Sequence, residues 1–356
     1  MTVAVVDFFS GCGGTSLGFR EAGMSIVAGI DNDPDAASTY RANFPEAHFF
    51  ERDIRTLTVK EVKKILPKRT PILFSGCAPC QPFSAQNRSV SQDDPRRFLL
   101  SEFQRFILAL TPDFVVVENV PGLQKVGDTG PFNSFVQALE SHGYDVACKV
   151  LSALDYGVPQ MRKRLVLVAA RGTMALIPQP THGPGSGRKA ATFRDWASGL
   201  PYLEAGETDP NDPDHAAMSL SAINLKRILA TAEGKGRETW GEDLLLDCHR
   251  GHSGHSDVYG RLAWDRPASA MTTRCLSYSN GRYGHPDQPR AISLREAACL
   301  QTFPRDFKFH GTLTSKGRQV GNAVPPLLAQ RIGETIISSL PVRRRGSRAR
   351  SQARAA

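Results

Sequence analysis

Across the first half of the chain, short uninterrupted apolar runs alternate with helix-patterned stretches, and few folds accommodate that arrangement. TVAVVDFF reads as a buried strand, followed by a Gly-rich turn and the helix-like TSLGFREAGM, and SIVAGID is a second strand. DPDAASTYRANF predicts a helix with Asp33 or Asp31 as its N-cap and Pro34 in its first turn. HFFERD, PILFSG, DFVVVENV, YDVACKVL and RLVLVAA complete the strand set, with the amphipathic VKEVKKIL and the long RRFLLSEFQRFILAL between them. Strands this continuously apolar are buried on both faces. The pattern therefore predicts an α/β fold whose sheet is parallel and covered by helices on either side.

Beyond Arg171 the texture changes. THGPGSGRK is rich in Gly and Pro, and residues 173 to about 265 are polar and weakly periodic, which predicts a smaller, loop-rich domain. Helical character resumes at SLREAACLQTF, and PPLLAQRIGETIISSL reads as an amphipathic helix opened by Pro. The chain has 356 residues and 40% hydrophobic content, enough for a large domain and a second one. Its net charge of +9 hints at an acidic partner, but six Arg lie in the last sixteen residues, PVRRRGSRARSQARAA, which leaves +3 for the body. That tail predicts disorder, with loose phosphate binding as a further reading. Seven Cys at scattered positions argue for a reducing compartment rather than a disulfide framework. The N-terminus lacks a basic leader, and no run approaches the ~20 apolar residues of a membrane span. A soluble, cytoplasmic protein with no membrane partner is expected.

In an open parallel sheet, ligands bind outside the carboxyl ends of the strands. Asp7, Asp31, Asp53, Cys80 and Glu118 each fall at or just past a predicted strand end, so they are expected to line one rim. Any one of them alone reads equally well as a cap or turn residue. The first turn, DFFSGCGGTSLGF, has glycines that let a ligand approach the backbone. Its spacing is not G-x-G-x-x-G and no Lys follows, so neither the dinucleotide fingerprint nor a P-loop fits. With Asp31 placed for ribose hydroxyls, Asp53 at the next strand end and Phe9 for base packing, the turn suggests an adenosine-type ligand. The lack of a phosphate-binding device favours S-adenosyl-L-methionine over a nicotinamide dinucleotide.

GCAPCQPFS carries Cys77 and Cys80 in a C-x-x-C. Zinc would need two more ligands, for which CHRGHSGH (248–255) is the candidate; polar loop residues facing a partner explain that stretch more simply. A redox pair normally opens a helix, whereas here Pro79 and Pro82 flank the second thiol. One reactive thiol remains, Cys80, beside Gln81 and Ser84, and a thiolate is a strong, soft nucleophile once its pKa is lowered. Glu118, ending an apolar strand in VVVENVPG, is partly desolvated and can work as an acid near neutral pH.

These stretches together resemble the DNA (cytosine-5)-methyltransferases of bacterial modification type. DFFSGCGGTSLGF resembles the family's first cofactor motif, GCAPCQPFS its Pro-Cys nucleophile motif, ENV its acidic motif and QMRKR (160–164) its Gln-x-Arg-x-Arg motif. RPASAMTTR (266–274) and QVGNAVPP (319–326) resemble the last two, and all six occur in family order. The resemblance implies a Rossmann-like methyltransferase sheet with a second, smaller, loop-rich target-recognition domain. The implied domains are 1–172 for catalysis and cofactor, 173–317 for target recognition and hinge, 318–341 for a helix returning to the catalytic domain, and 342–356 for the tail. It also implies Cys80, Glu118, Arg162 and Arg164 as catalytic residues. Phe9, Gly11, Gly13, Asp31, Asn32, Asp53, Ile54, Leu99 and Asn322 would meet S-adenosyl-L-methionine, and Gln81, Ser84 and Arg88 would meet DNA. Asp31 stands where the family usually has Glu, and Asn32 where a larger apolar residue is common.

By the same resemblance, a thiolate adding at C6 of cytosine makes C5 a carbon nucleophile. Glu118 would hold N3 and the exocyclic amine, Arg164 would hold O2, and Arg162 would support the site. The target base must leave the duplex, and QNRSVSQDDP (86–95) suits a loop that closes over it. Implied partners are double-stranded DNA and a cognate restriction endonuclease, with the enzyme a monomer at the bacterial nucleoid. The rival readings are a tRNA cytosine-5 methyltransferase, a non-catalytic DNA-binding relative and a zinc protein using CAPC and CHRGHSGH.

Overall fold

The strand and helix segments of the first half condense into one twisted sheet between two helical layers. The computed structural model describes residues 2–78, 99–122, 130–250 and 257–340. The strands are β1 (Ala4–Phe8), β2 (Ser25–Asp31), β3 (His48–Glu51), β4 (Ile72–Gly76), β5 (Phe114–Asn119), β6 (Tyr144–Ser152), the two-residue β7 (Gln160–Met161) and β8 (Lys163–Arg171). Helices α1 (Gly14–Glu21), α2 (Pro34–Asn43), α3 (Val59–Ile65), α4 (Leu99–Leu110) and α5 (Pro131–Ser141) connect them. Asp33, not Asp31, caps α2: its carboxylate accepts the Asp35 and Ala36 N–H groups, and Pro34 opens the helix.

The seven-stranded sheet runs β3-β2-β1-β4-β5-β8-β6. Strands β1 to β5 pair in parallel, but β8 is antiparallel to both of its neighbours. The expectation of a wholly parallel sheet is corrected there, and the reason is chain length. Only residues 153–162 separate β6 from β8, whereas a parallel crossover needs about a dozen or more residues. The apolar runs of β6 and β8 gave no sign of direction.

Strand alternation sorts the core. Along β5, Phe114 and Val116 face one hydrophobic cluster, and Val115 and Val117 face the other. The first cluster includes Leu17 and Phe19 of α1 and Tyr40 of α2; the second includes Phe103 and Phe106 of α4 and Phe135 of α5. Both faces are thus closed to water, and only the strand ends remain for chemistry.

Past residue 172 the elements are short: α6 (Phe193–Ala197), β9 (Thr208–Asp209), β10 (Asp212–Ala216), α7 (Ala222–Leu229), β11 (Ala268–Ser269) and α8 (Leu294–Leu300). β11 pairs in parallel with β7, and the first hydrophobic cluster continues through Phe193, Leu262, Met271 and Tyr283. Several buried charges are paired: the Arg290 guanidinium meets both Glu296 oxygens at 2.8 Å, and Arg295 joins α8 to Asp212 of β10 at 2.7 Å. Two last helices, α9 (Leu313–Asn322) and α10 (Pro326–Ser339), return to the sheet. α10 lies directly on α1; a Cβ at Gly18 would strike the Pro326 carbonyl and Ala329. Among the described residues, no helix is long and apolar enough to cross a membrane.

Candidate active site

A cleft of about 600 Å³ opens at the carboxyl ends of β1, β2, β4 and β5 and is walled on the far side by the end of α9. Phe9 and Gly11 reach it from the first turn, Asp31 and Asn32 from the end of β2, and Asp53 and Ile54 from the turn after β3. Leu99 enters from the start of α4, Glu118 from β5, Arg162 and Arg164 from the approach to β8, and Asn322 from α9. Residues separated by up to 313 positions are thereby collected in one cavity. Cys80, Gln81, Ser84 and Arg88, and the 86–95 stretch, lie outside the described residues.

Two of the expected rim residues sit elsewhere. Asp7 is 1% exposed and does not line the cleft. β1 runs on to Phe8, and alternation sends the Asp7 side chain toward α1, with Val5. There it accepts the Ser16 hydroxyl at 2.7 Å, and burial lifts its pKa to about 7. Gly13 also stays out of the cleft. It caps α1 with φ 95°, and a Cβ there would strike the Phe44 ring; the neighbouring Gly14 is the one that lines the cavity.

The adenosine-like end is built from loops tied to each other. Asp31 accepts the Gly11 N–H at 2.8 Å with one oxygen and the Asp33 N–H at 3.0 Å with the other, locking the first turn to the end of β2. Burial raises its pKa above the ordinary carboxylate range. Phe9 takes a left-handed backbone, φ 56°, which is uncommon for an aromatic residue and clusters at ligand sites. Arginines around this end are already neutralised: Arg55 by Asp53 at 2.6 Å, Arg318 by Asp33 at 2.6 Å and Arg52 by Glu61 at 2.7 Å. Among the described residues, no arginine lining this end is left unpaired for a phosphate. The Ser10 hydroxyl, buried on the cleft wall, has no hydrogen-bond partner among the described residues. Sequence reasoning missed Ser10, which sits inside the Gly-rich turn with no signal of its own.

At the other end stands the Glu118–Arg164 pair. Glu118 is 8% exposed, and Arg164 Nε lies 2.7 Å from its Oε1. The contact is a charge pairing without good hydrogen-bond alignment, and the buried Oε1 has no hydrogen-bond partner among the described residues. Asn119, also missed, accepts the Val120 N–H and donates to the Ala78 carbonyl at 3.1 Å. It thus holds the backbone that leads into Pro79 and Cys80. The ENV pattern carried that residue, but only its Glu was chemically legible. Cys77 lines the cleft with its thiol enclosed beside Thr15 Oγ1, at 3.8 Å. Burial first, then the nearby Glu118 and Asp7 carboxyls, push its pKa well above that of a free thiol. Arg162 is 2% exposed and directs its terminal nitrogens at backbone carbonyls, behind the site rather than into it.

An acid–guanidinium pair beside a phosphate-free nucleoside-type cleft, on a sheet whose last strand turns antiparallel, matches one family over almost the whole chain. The family model for C-5 cytosine-specific DNA methylases fits residues 3–338. The chain belongs to that family. It is a DNA cytosine-5 methyltransferase. The methyltransferase is 43% identical over 343 residues to the type II methylase M.HgiDII of Herpetosiphon aurantiacus, covering 94% of this chain and 95% of that one. It is 33% identical to the type II methyltransferase M.XorII of Xanthomonas oryzae pv. oryzae, covering 94% and 84%. Among solved structures, a prophage-encoded E. coli protein described as a DNA modification methyltransferase superposes with a TM-score of 0.75 at 24% identity, over 95% of this chain and 99% of that one. The S. pombe Dnmt2 methyltransferase superposes with a TM-score of 0.59 at 18% identity, over 94% and 98%. Both show a shared fold.

For the methyltransferase, the CHRGHSGH stretch is not a visible metal centre: among the described residues no cluster of His, Cys, Asp and Glu could hold an ion. His249 packs its ring against Tyr259, 5.9 Å between centroids, while His252 and His255 lie outside the described residues.

Proposed function

We propose that the protein transfers a methyl group from S-adenosyl-L-methionine to C5 of a cytosine flipped out of double-stranded DNA, within one short sequence, as the modification half of a restriction–modification pair. The observation that carries this reading is the Glu118–Arg164 pair placed in one cavity with Phe9, Asp31, Asn32 and Asn322. The cleft fits the cofactor by its donor set. Asp31 and the Ser10 hydroxyl suit hydroxyls and amines, Phe9 suits an adenine face, and among the described residues no cation at this end is free for a pyrophosphate. When bound, S-adenosyl-L-methionine supplies an electrophilic methyl carbon.

The protein's own groups do the rest. Cys80 adds as thiolate to C6, and the negative charge this creates spreads to N3 and O2. Glu118 hydrogen-bonds N3 and the exocyclic amine. Arg164 holds O2; a guanidinium suits this because it stays charged and donates in a fixed fork. Arg164 would keep its contact with Glu118 while reaching O2, so the pair is aligned before the base arrives and little reorganisation is needed at reaction. After C5 has taken the methyl, a base, for which we assign water, removes the C5 proton and Cys80 is expelled. Residues 1–172 would form the catalytic domain and 173–317 the target reader and hinge. Residues 318–341 would return to the cofactor, and the 342–356 tail would add loose phosphate affinity. Gln81, Ser84 and Arg88 would meet DNA, with 86–95 as the closing loop. The working form would be a cytoplasmic monomer at the nucleoid.

Bisulfite sequencing tests this in a host lacking its own cytosine methylation, expressing the chain or its Cys80→Ala variant. Protected cytosines in one recurring motif, absent with the variant, are expected. Unprotected DNA together with a newly protected tRNA cytosine would overturn the reading in favour of the RNA enzyme.

A further inference from the structure

A buried set of side chains behind the cleft has no part in the chemistry above, yet it holds the backbone on either side of Asn322. Gln301, which is fully buried, donates through Nε2 to the Val320 carbonyl at 2.6 Å and the Ala323 carbonyl at 3.1 Å. The Arg162 guanidinium donates to the carbonyls of Gly321 at 3.3 Å, Ala323 at 3.1 Å and Met271 at 2.9 Å. Gln160 links the two, donating to Gln301 Oε1 at 2.7 Å and accepting the Met271 N–H at 3.1 Å. α9 ends at Asn322, so the Val320 and Gly321 carbonyls belong to the last turn, where a helix C-terminus runs short of backbone donors. A guanidinium there also meets the negative end of the helix dipole. The fit is close on the remaining side: a Cβ at Gly321 would overlap the Thr272 carbonyl.

We infer that Gln160, Arg162 and Gln301 form a positioning clamp that fixes the Asn322 turn against the cofactor and ties it to the strand bearing Arg164. Every carbonyl flanking Asn322 is held, while Asn322 itself is exposed in the cleft. Residues 160 to 164 are continuous, so one short segment serves both ends of the cavity: Gln160 and Arg162 toward the turn, Arg164 toward Glu118. The clamp acts through Asn322 and touches neither the base nor the methyl donor. This inference rests on the proposed reading of the cleft as the cofactor site.

The test uses the full chain, with Gln301→Leu, Asn322→Ala and the double variant. Binding of S-adenosylhomocysteine is followed by calorimetry and methyl transfer by steady-state kinetics at saturating DNA. Gln301→Leu is expected to weaken S-adenosylhomocysteine binding and raise the cofactor KM by about tenfold, as two donors to the turn are lost, while kcat falls less than about threefold. The double variant is expected to bind no more weakly than Asn322→Ala, because the two act through one contact. Where Gln301→Leu fails to fold, Arg162→Lys, too short to span the same carbonyls, serves in the same cycle. A lower Tm with unchanged cofactor binding, or fully additive losses, would overturn the clamp. An unmutated protein that binds no S-adenosylhomocysteine would instead overturn the cofactor reading.

Discussion

At the scale of single residues, burial separates groups that look alike in the sequence. Cys77 and Cys80 stand three positions apart, yet burial pushes the Cys77 thiol well above the pKa of a free one. Duplex DNA carrying 5-fluorocytosine in the target site traps any C6 adduct, because fluorine cannot leave C5 as a proton does. The Cys77→Ser variant is expected to form that covalent complex and Cys80→Ala to form none; an adduct that needs Cys77 would reverse the assignment. Arg164 makes a similar case. Arg164→Lys keeps the charge but loses the fork that reaches Glu118 and O2 together, so kcat is expected to fall by about 10²-fold or more, with DNA affinity little changed. A variant within threefold of the parent would place O2 elsewhere. Glu118 and Asn119 show how far reading single positions goes. An acid at the end of an apolar strand announces itself, but an Asn whose work is to hold the Ala78 carbonyl is visible only when that carbonyl is in place.

At the scale of elements, the join between α2 and α9 closes the adenosine end of the cleft. Asp33 has two tasks: it caps α2 through the Asp35 and Ala36 N–H groups and pairs with Arg318 at 2.6 Å. The ion pair is partly exposed and worth little, whereas loss of a cap costs about 1 kcal/mol. Asp33→Ala is therefore expected to lower stability by about 1 kcal/mol in denaturant unfolding, Arg318→Ala by less, and Asp33→Ser, which can still cap, to recover most of the loss. Equal losses for Asp33→Ala and Arg318→Ala would mean that the ion pair dominates. The α2 boundary was legible because Asp-Pro cap chemistry is local. The direction of β8 was not, because an apolar strand reads the same either way and only the ten-residue connection from β6 decides it.

At the scale of the whole molecule, Asp7 gives the fold a pH signature. Its pKa stands near 7 in the folded protein, against an ordinary unfolded value of about 4. The folded state then holds an extra proton between those values, so this group's contribution to stability is fully present below about pH 4 and is lost as pH rises through about 7. Each pH unit in that window is worth up to about 1.4 kcal/mol. Comparing Tm against pH for the protein and its Asp7→Asn variant cancels the other carboxyls. The parent is expected to lose ground to the variant steadily from pH 5 to pH 7.5, and parallel curves would show that Asp7 is charged when buried.

The sequence by itself determined the α/β class, most helix starts, the order of the motifs and several of the residues that line the cleft. Each of these depends on local periodicity, capping or residue chemistry at a strand end. Leu99, counted back from Glu118, and Asn322, just over two hundred residues past Asn119, both reached the cavity on motif order alone. Only the tertiary structure decided which neighbours face the cleft. It turned Asp7 inward and Gly14 rather than Gly13 outward, buried Cys77, set Arg164 on Glu118 and sent Arg162 behind the site to the carbonyls at 321 and 323. Those choices depend on side-chain direction and on partners brought together by the fold, from Ser16 beside Asp7 to the Gly321 carbonyl that meets Arg162, which the chain acquires only when α9 packs back against the sheet.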